Sequence, residues 1–437
     1  MSIRESGDAL ASYQLDSGLD LAESLLAATP KHDAIFQDDA GKRIKLQQDQ
    51  TAFDPFYPCF RPTVQMASYV QRVEMSGTAN FGGVSEIIVP RLGDFLSDLT
   101  ICMTLPKLAP IDGSYADWTS SIAYALCQKV ELYFGNNLFD TLEGDWLEVL
   151  DQIDQPDRQY NANCELVGRY ASPFLITSQS VEQPVQDSDR TFYCRLRFSF
   201  TDAVNMSVPL MSLPFTQIRA KITWRAFDEC ITYDGVTPPL YQPIKETWVN
   251  ATYTKLDTRY SLPTYNYRDA KLAYLYRTMR YIEKILPANA INAQVSLSEI
   301  KVPCAGLVFI IRGLDAESNN DWFNFTQTDG LATPFLTSAR LTVDNYERYP
   351  KEDETFYRLN LPAMYVRRSP RNCIYIMPFA QNLLEVNKTS GTLDLGKIKN
   401  PVLWLTLGGA QIAVRIKVFA LTYNIMGIRN GQIILRT

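Results

Sequence analysis

From residue 60 onward, apolar and polar positions alternate along the chain. In "RTFYCRLRFSF" (190–200), Phe192, Cys194, Leu196, Phe198 and Phe200 alternate with Tyr193, Arg195, Arg197 and Ser199. Successive side chains of a strand point to opposite faces, so a period of two predicts a strand with one buried face. "TQIRAKITW" (216–224) repeats the pattern with Ile218, Ala220, Ile222 and Trp224. "NCIYIMPF" (372–379) and "QIAVRIKVFALTYNI" (411–425) follow the same rule. "LVFIIRG" (307–313) and "VLWLTL" (402–407) are continuous apolar runs, as expected of central strands. Long helical patterns are scarce. Short strands separated by Pro- and Gly-bearing loops predict a β-sandwich or barrel.

Three pairs of segments repeat in the same order. "SEIIVP" starts at Ser85 and "SEIKVP" at Ser298; "VELYFGNNLFD" starts at Val130 and "ARLTVDNYERY" at Ala339; "QIRAKI" starts at Gln217 and "QIAVRI" at Gln411. Strands share composition, so each match alone is weak. Their common order and similar separation predict two copies of one β-fold. The polar connector "DTRYSLPTYNYRDA" (257–270) lies where the copies should join, which gives a first domain at 55–262 and a second at 263–437. Residues 1–54 are polar and mixed, apart from the short amphipathic helix expected in "LDLAESLLAA" (19–28). They read as an N-terminal arm ordered against a partner. Long loops are expected at 230–246, 321–338, 345–370 and 381–401. Loops of this length in a compact β-domain usually make contacts.

One stretch looks like chemistry. "VELYFGNNLFDTLEGDWLEVLDQ" (130–152) carries Glu131, Asp140, Glu143, Asp145, Glu148 and Asp151. Val130, Leu132 and Phe134 alternate with Glu131 and Tyr133, which makes Glu131 the outward residue of a strand. "GNN" signals a turn. Trp146, Val149, Leu150 and Ile153 then recur at the spacing of one helix face. Asp145 and Glu148 fit the D-x-x-E form of a capping box, which would satisfy amide donors at the helix start. Asp151 and Asp154 are expected to fall away from the apolar stripe. This explains the carboxylates without a metal, which would need several oxygens converging on one point.

Composition narrows the function. The chain has 437 residues, enough for two domains, with 46% apolar residues, a net charge of −6 and a pI near 5.2. A general nucleic-acid binder would carry a basic stripe instead. No apolar run is long enough to span a bilayer, and "MSIRESGDALASYQ" lacks the layout of a signal peptide, so a cytosolic site of synthesis is expected. The eight cysteines (Cys59, Cys102, Cys127, Cys164, Cys194, Cys230, Cys304 and Cys373) form no CxxC pair and read as reduced, mostly buried side chains. His32 is the one histidine and reads as solvated, so neither a two-histidine zinc site nor a His-based triad is expected. "YVRRSPRN" (365–372), with Arg367, Arg368 and Arg371, reads as a solvated loop; an acidic partner or a phosphorylated Ser369 is the alternative. Sequons at Asn205, Asn250, Asn324 and Asn387 read as chance matches. No phosphate cradle, dinucleotide turn or nucleophile elbow is present. The expected set of catalytic, cofactor-binding and metal residues is therefore empty.

Several segments, in order, resemble the major capsid proteins of large nucleocytoplasmic DNA viruses (iridovirus- and phycodnavirus-like) and related double-stranded DNA elements. They are "FGGVSEIIVPRLGDFLSDLTICMTLP" (81–106), "SIAYALCQKVELYFGNNLFDTLEGDWLEVLDQ" (121–152), "FYCRLRFSFTDAVNMSVPLMSLPFTQIRAKITW" (192–224) and "VFALTYNIMGIRNGQ" (418–432). Their ordered combination is specific where each alone is not.

The resemblance implies an all-β fold of two consecutive eight-stranded antiparallel jelly rolls with short helices in the loops. It implies a homotrimer that mimics a hexagon and tiles an icosahedral shell in the virion, assembled in the host cytoplasm. The partners it implies are the chain itself, neighbouring capsomers, minor capsid or penton proteins and an inner membrane layer, with no direct contact to nucleic acid. A scaffold or minor capsid role is the alternative within the family. A β-sandwich binding module for carbohydrate or protein, motivated by Trp118, Trp248 and Trp322 as exposed aromatics, is the alternative outside it.

Overall fold

The computed structural model describes residues 66–437 except 114, 170–187, 258–264, 266–270, 328–332, 345, 386–388, 409–411 and 437, together with 35–37 and 43–45. Within the expected arm, β1 (Ile35–Gln37) pairs antiparallel with β2 (Arg43–Lys45), Phe36 opposite Ile44. The helix expected at 19–28, His32 and Cys59 lie outside the described residues.

The first half supplies β3 (Met66–Val73), β4 (Ser76–Gly77), β5 (Val84–Ile88), β6 (Phe95–Leu105), β7 (Ala116–Trp118), β8 (Cys127–Phe134), β9 (Asn137–Glu143), β10 (Arg190–Arg195), β11 (Val208–Pro209), β12 (Ile218–Trp224), β13 (Ile231–Tyr233) and β14 (Glu246–Leu256). Eight of these form two facing sheets, in the orders β3-β14-β6-β10 and β5-β12-β8-β9. The strands of these sheets pair antiparallel throughout the described residues. This is a jelly roll, in which strands alternate between two sheets packed on one core.

The second half follows with β15 (Lys271–Leu286), β16 (Asn292–Ser296), β17 (Pro303–Gly313), β18 (Leu336–Val343), β19 (Tyr346–Asp353), β20 (Ile374–Pro378), β21 (Leu393–Asp394), β22 (Val402–Leu407), β23 (Val414–Arg429) and β24 (Gln432–Arg436). Its sheets, β15-β23-β17-β20 and β16-β22-β18-β19, repeat the first pair strand for strand. The hairpins β8–β9 and β18–β19 are true equivalents, and they carry the second sequence match. The third match falls on strands that do not correspond: Gln217 leads into β12, whose counterpart is β22, whereas Gln411 leads into β23. "SEIKVP" sits after β16 and not on it.

The register explains the alternation. Ile218, Ala220 and Ile222 of β12 lie opposite Phe134, Leu132 and Val130 of β8, so inward residues meet across the ladder and all are buried. "LVFIIRG" falls in β17, flanked by β23 and β20, and "VLWLTL" is β22, flanked by β16 and β18. From Cys304 to Gly313, β17 is buried on both faces, hence its unbroken apolar run. The strand expected at 190–200 ends at Arg195, and a 3₁₀ turn follows at Ser199–Thr201. Its alternation persists because Leu196, Phe198 and Phe200 still enter the core. The expected loop at 345–370 is mostly ordered structure. Tyr346–Asp353 is β19, and a π-helical turn follows at Phe356–Asn360. β19 went unread because it is the outer strand of its sheet and almost wholly exposed, with no buried face to impose a period.

Five short α-helices occupy the loops among the described residues: α1 (Ile122–Leu126), α2 (Gly144–Asp154), α3 (Asp157–Val167), α4 (Leu314–Ser318) and α5 (Leu361–Tyr365). Gly168, at φ 73°, ends α3 in the left-handed conformation that favours glycine. Among the described cysteines all seven are free thiols, six of them buried and Cys164 half-buried. Burial pushes the Cys304 and Cys373 thiols up to about 12.

α2 begins where β9 passes under α1. A Cβ on Gly144 would stand 2.2 Å from the Tyr124 carbonyl oxygen, and a backbone atom cannot swing aside as a side chain can. Gly144→Ala is expected to cost about 1–3 kcal/mol by overpacking. Urea unfolding of the full chain, followed by tryptophan fluorescence, checks this.

Candidate functional site: a charged seam between the two rolls

All eleven residues of α2 are buried. Its apolar residues face the first roll's core and the second roll; the rings of Trp146 and Phe419 lie 5.2 Å apart. Its acids, Asp145, Glu148, Asp151 and Asp154, recur at every third position and so form a stripe of their own. A helix with an apolar face and a buried acidic stripe has no face left for water. Each acid must then find a cation, because an unpaired buried charge is very costly.

The structure provides those cations from both rolls. Arg312 of β17 donates from Nη1 to Asp145 Oδ1 at 2.8 Å, and Lys417 of β23 donates from Nζ to Asp145 Oδ2 at 2.6 Å. Lys417 also reaches Glu143 at 3.1 Å. Arg169 donates from Nη2 to Glu148 and to Asp151, both at 2.6 Å. Asp154 accepts from Arg197 and lies 3.3 Å from Arg367. Asp202 continues the chain, accepting from Arg197 at 3.1 Å and from Arg277 of β15 at 2.8 Å. Arg367, Asp154, Arg197, Asp202 and Arg277 thus alternate in sign as they cross from roll to roll.

These contacts correct the sequence expectations. Asp145 and Glu148 form no capping box: Glu143 occupies the N-cap position and no side chain caps the first turn. Asp151 and Asp154 are buried and do not face solvent. Glu131 is only partly open, paired with Lys129 at 2.5 Å. "YVRRSPRN" is not a solvated loop. Arg368 is buried and lies over the Tyr160 ring at 3.4 Å, with Arg371 at 4.6 Å and Arg169 at 5.2 Å from the same ring. The Arg368 amide also donates to the Ile153 carbonyl at the end of α2. The one sequence signal for this seam was the three-residue period of the acids, which propensity and capping rules absorb too readily.

Burial raises the Asp145 carboxyl, but the charges of Arg312 and Lys417 outweigh burial and hold it well below the usual carboxylate range. Asp154 is lowered in the same way, burial being outweighed by Arg197. Lys417 is raised: burial lowers it, and Asp145 and Glu143 more than restore its charge. Asp140, on β9, behaves oppositely. Burial pushes it up to about 7, although the backbone amides of Thr141 and Met279 donate to it and Arg280 and Arg277 lie near. Met279 belongs to β15, so Asp140 also lies on the seam, beside the Phe139–Tyr276 ring contact at 4.6 Å.

A second hook joins the rolls. Asn320 takes a φ of 60°, which Asn tolerates, and its side-chain amide donates to the Asp228 and Ile231 carbonyls. Its own carbonyl accepts from Thr119, and Trp322 Nε1 donates to Glu229 O at 2.7 Å. The three tryptophans expected to be exposed are engaged: Trp118 is buried, Trp322 lies under Arg225 at 3.6 Å, and Trp248 lies under Arg72 at 4.4 Å. The loop at 230–246 does present apolar groups, with Val236 at 94% and Leu240 at 73% exposure. It is held rigidly, since Asp112 accepts from both the amide and the hydroxyl of Thr237. Among the described residues no group of three or more His, Cys, Asp or Glu could hold a metal ion.

Asp145→Ala should cost up to about 3–5 kcal/mol, since it leaves Arg312 with Glu317 alone and Lys417 with Glu143 alone; urea unfolding measures this. The folded-state pKa of Asp145 is depressed, so its stabilisation is complete above the ordinary carboxylate range and is lost as pH falls below about 4. The melting temperature of Asp145→Asn should therefore fall less steeply than wild type in that window. Asp140 has the opposite sign. Its folded pKa is raised, so its contribution declines as pH climbs from about 4 to about 7. Asp140→Asn should gain on wild type across that range, by at most about 4 kcal/mol, in melting curves at pH 5 and pH 8.

Comparison with known proteins agrees with this architecture. A family model described as the major capsid protein N-terminus matches residues 63–260. One described as the large eukaryotic DNA virus major capsid protein matches residues 283–433. The major capsid protein of Paramecium bursaria Chlorella virus 1 is 21% identical over 416 residues, covering 82% of this chain and 88% of that one. The major capsid protein of Phaeocystis pouchetii virus is 19% identical, covering 82% and 90%. A shorter match, 24% identical, reaches Capsid protein 1 of Acanthamoeba polyphaga mimivirus and covers 35% of this chain but 28% of that one. Among solved structures, the PBCV-1 virus capsid superimposes with a TM-score of 0.73 at 17% identity, covering 87% of this chain and 99% of that one. The Faustovirus major capsid protein superimposes with a TM-score of 0.71 at 12% identity, covering 95% and 99%. With its two consecutive jelly rolls, the chain belongs to the major capsid protein family of large eukaryotic DNA viruses.

Proposed function

We propose that this chain is the wall tile of an icosahedral virion: three copies close into a pseudo-hexameric capsomer, and capsomers then tile the shell. The observation that carries this reading is the seam. A tile that presents two rolls per chain must hold them at one fixed angle, and ion pairs, ring contacts and backbone hydrogen bonds across the seam supply that restraint. Three such chains offer six rolls around a three-fold axis, and heterologous contacts that close make a ring.

In this reading the rolls are the domains at 55–262 and 263–437, and the arm at 1–54 reaches a neighbouring capsomer or an underlying layer. The loops at 230–246, 321–338 and 345–370 supply trimer and outer-surface contacts. The exposed Val236, Leu240 and Tyr346 support this, since rigidly presented apolar groups mark protein contacts. Other partners are minor capsid or penton proteins and a membrane-bound layer. The net charge of −6 favours these over the genome. The role is structural and not enzymatic, and assembly takes place in the host cytoplasm.

Sedimentation analysis of the purified chain should give a trimer, and negative-stain images should show six-lobed particles. A chain that remains monomeric at every concentration would overturn the proposal.

A further inference from the structure

The seam borders a half-open cavity that its ion pairs do not fill. About 460 Å³ in volume, it is lined by Lys129 and Arg225 from the first roll, by the start of α2 at Gly144, and by Arg415 and Lys417 from the second roll. Its walls carry five basic side chains against four carboxylates. Arg312, Arg415 and Lys417 are each hydrogen-bonded to two of Glu143, Asp145, Glu283 and Glu317. Arg225 is not. It is 9% exposed, its Nε donates to the Ala125 carbonyl at 2.8 Å, and its flat face rests on Trp322. No hydrogen bond is made by its terminal nitrogens among the described residues. The nearest carboxylate oxygen, on the half-exposed Glu229, is 3.6 Å away. Burial accordingly drags the Arg225 pKa down, whereas Arg312 and Lys417 are raised by their carboxylates. The first turn of α2, which no side chain caps, adds the positive end of a helix dipole to the same wall.

We propose that this cavity binds a phosphate-class oxyanion, with Arg225 as the principal donor; Lys129 and Arg415 line the same wall and would join it by exchanging Glu131, and Glu283 or Glu317, for the anion. Its donors converge from both sides of the seam, so the bound anion would act as a removable cross-link between the rolls. A cation is disfavoured there, because every carboxylate on the wall already lies within ion-pair distance of a basic side chain. The proposal is independent of the capsomer reading and concerns the single chain.

Titration calorimetry of the full chain with inorganic phosphate, against sodium chloride at equal ionic strength, tests it. One saturable site per chain is expected, with a melting temperature that rises in phosphate beyond its value in chloride. Arg225→Gln should weaken binding at least tenfold and remove that extra rise. Should Arg225→Gln fail to fold, Lys129→Gln, at a partly exposed strand position, is expected to weaken phosphate severalfold with its melting temperature in chloride unchanged. No saturable binding by wild type, or equal binding by the folded variants, would overturn the proposal.

Discussion

A buried charge must be met by an opposite one, and this constraint governs the way the two halves of the chain are joined. α2 leaves the first roll with every residue buried and four acids along its length. Two of those acids are answered within the first roll, by Arg169. Asp145 is answered only from the second roll, and Asp154 is shared between the two. Such pairs add little net stability relative to an apolar contact, because desolvation offsets the Coulomb gain. Their effect is on geometry. An apolar interface tolerates sliding and rotation, whereas a bidentate acid between an arginine and a lysine tolerates little of either.

The two rolls obey one plan with different burial. In the second roll both strands that carry an apolar run, β17 and β22, lie inside their sheets. β17 goes further and is buried on both faces; the first roll's helix meets this sheet at Arg312 of β17 and at Phe419 of β23. The same covering explains why Arg312 can stand on a central strand: its partners arrive from the other roll and from the loop after the strand, with Asp145 on one side and Glu317 on the other. Sheet, helix and charge thus specify one arrangement between them.

Much of this was legible from residue types alone. Strands with one dry face announce themselves by a period of two, and β8, β12 and β23 were read from that signal. Strands with no dry face, such as β19, give no period and were read as loop. The doubled fold was visible in matched hairpins, although a third match paired strands from different sheets, since β-rich segments resemble each other by composition. The seam was not legible. Its cations lie up to 274 residues from their acids, and local rules offered a cheaper account of each side chain. Capping explained Asp145 and Glu148, solvation explained Asp151, Asp154 and the arginines at 367–371, and neither account required a distant partner. Long-range electrostatics leaves a sequence trace only as a surplus: more charge on a helix than its exposed surface can hold.

The order of the seam's parts along the chain has a consequence for synthesis. Asp145 is made 167 residues before Arg312 and 272 residues before Lys417. At ribosomal rates of roughly 5–20 residues per second, the helix waits on the order of tens of seconds for its last cation. Over that interval the first roll can complete its sheets and pair Glu148 and Asp151 with Arg169 and Asp154 with Arg197, but Asp145 stays hydrated and keeps the start of α2 anionic on the face that will later be hidden. Asp145 therefore protects the nascent chain as well as joining the finished one. It holds a surface that would otherwise be greasy in solution until its own second half, and no other partner, arrives with the matching charges.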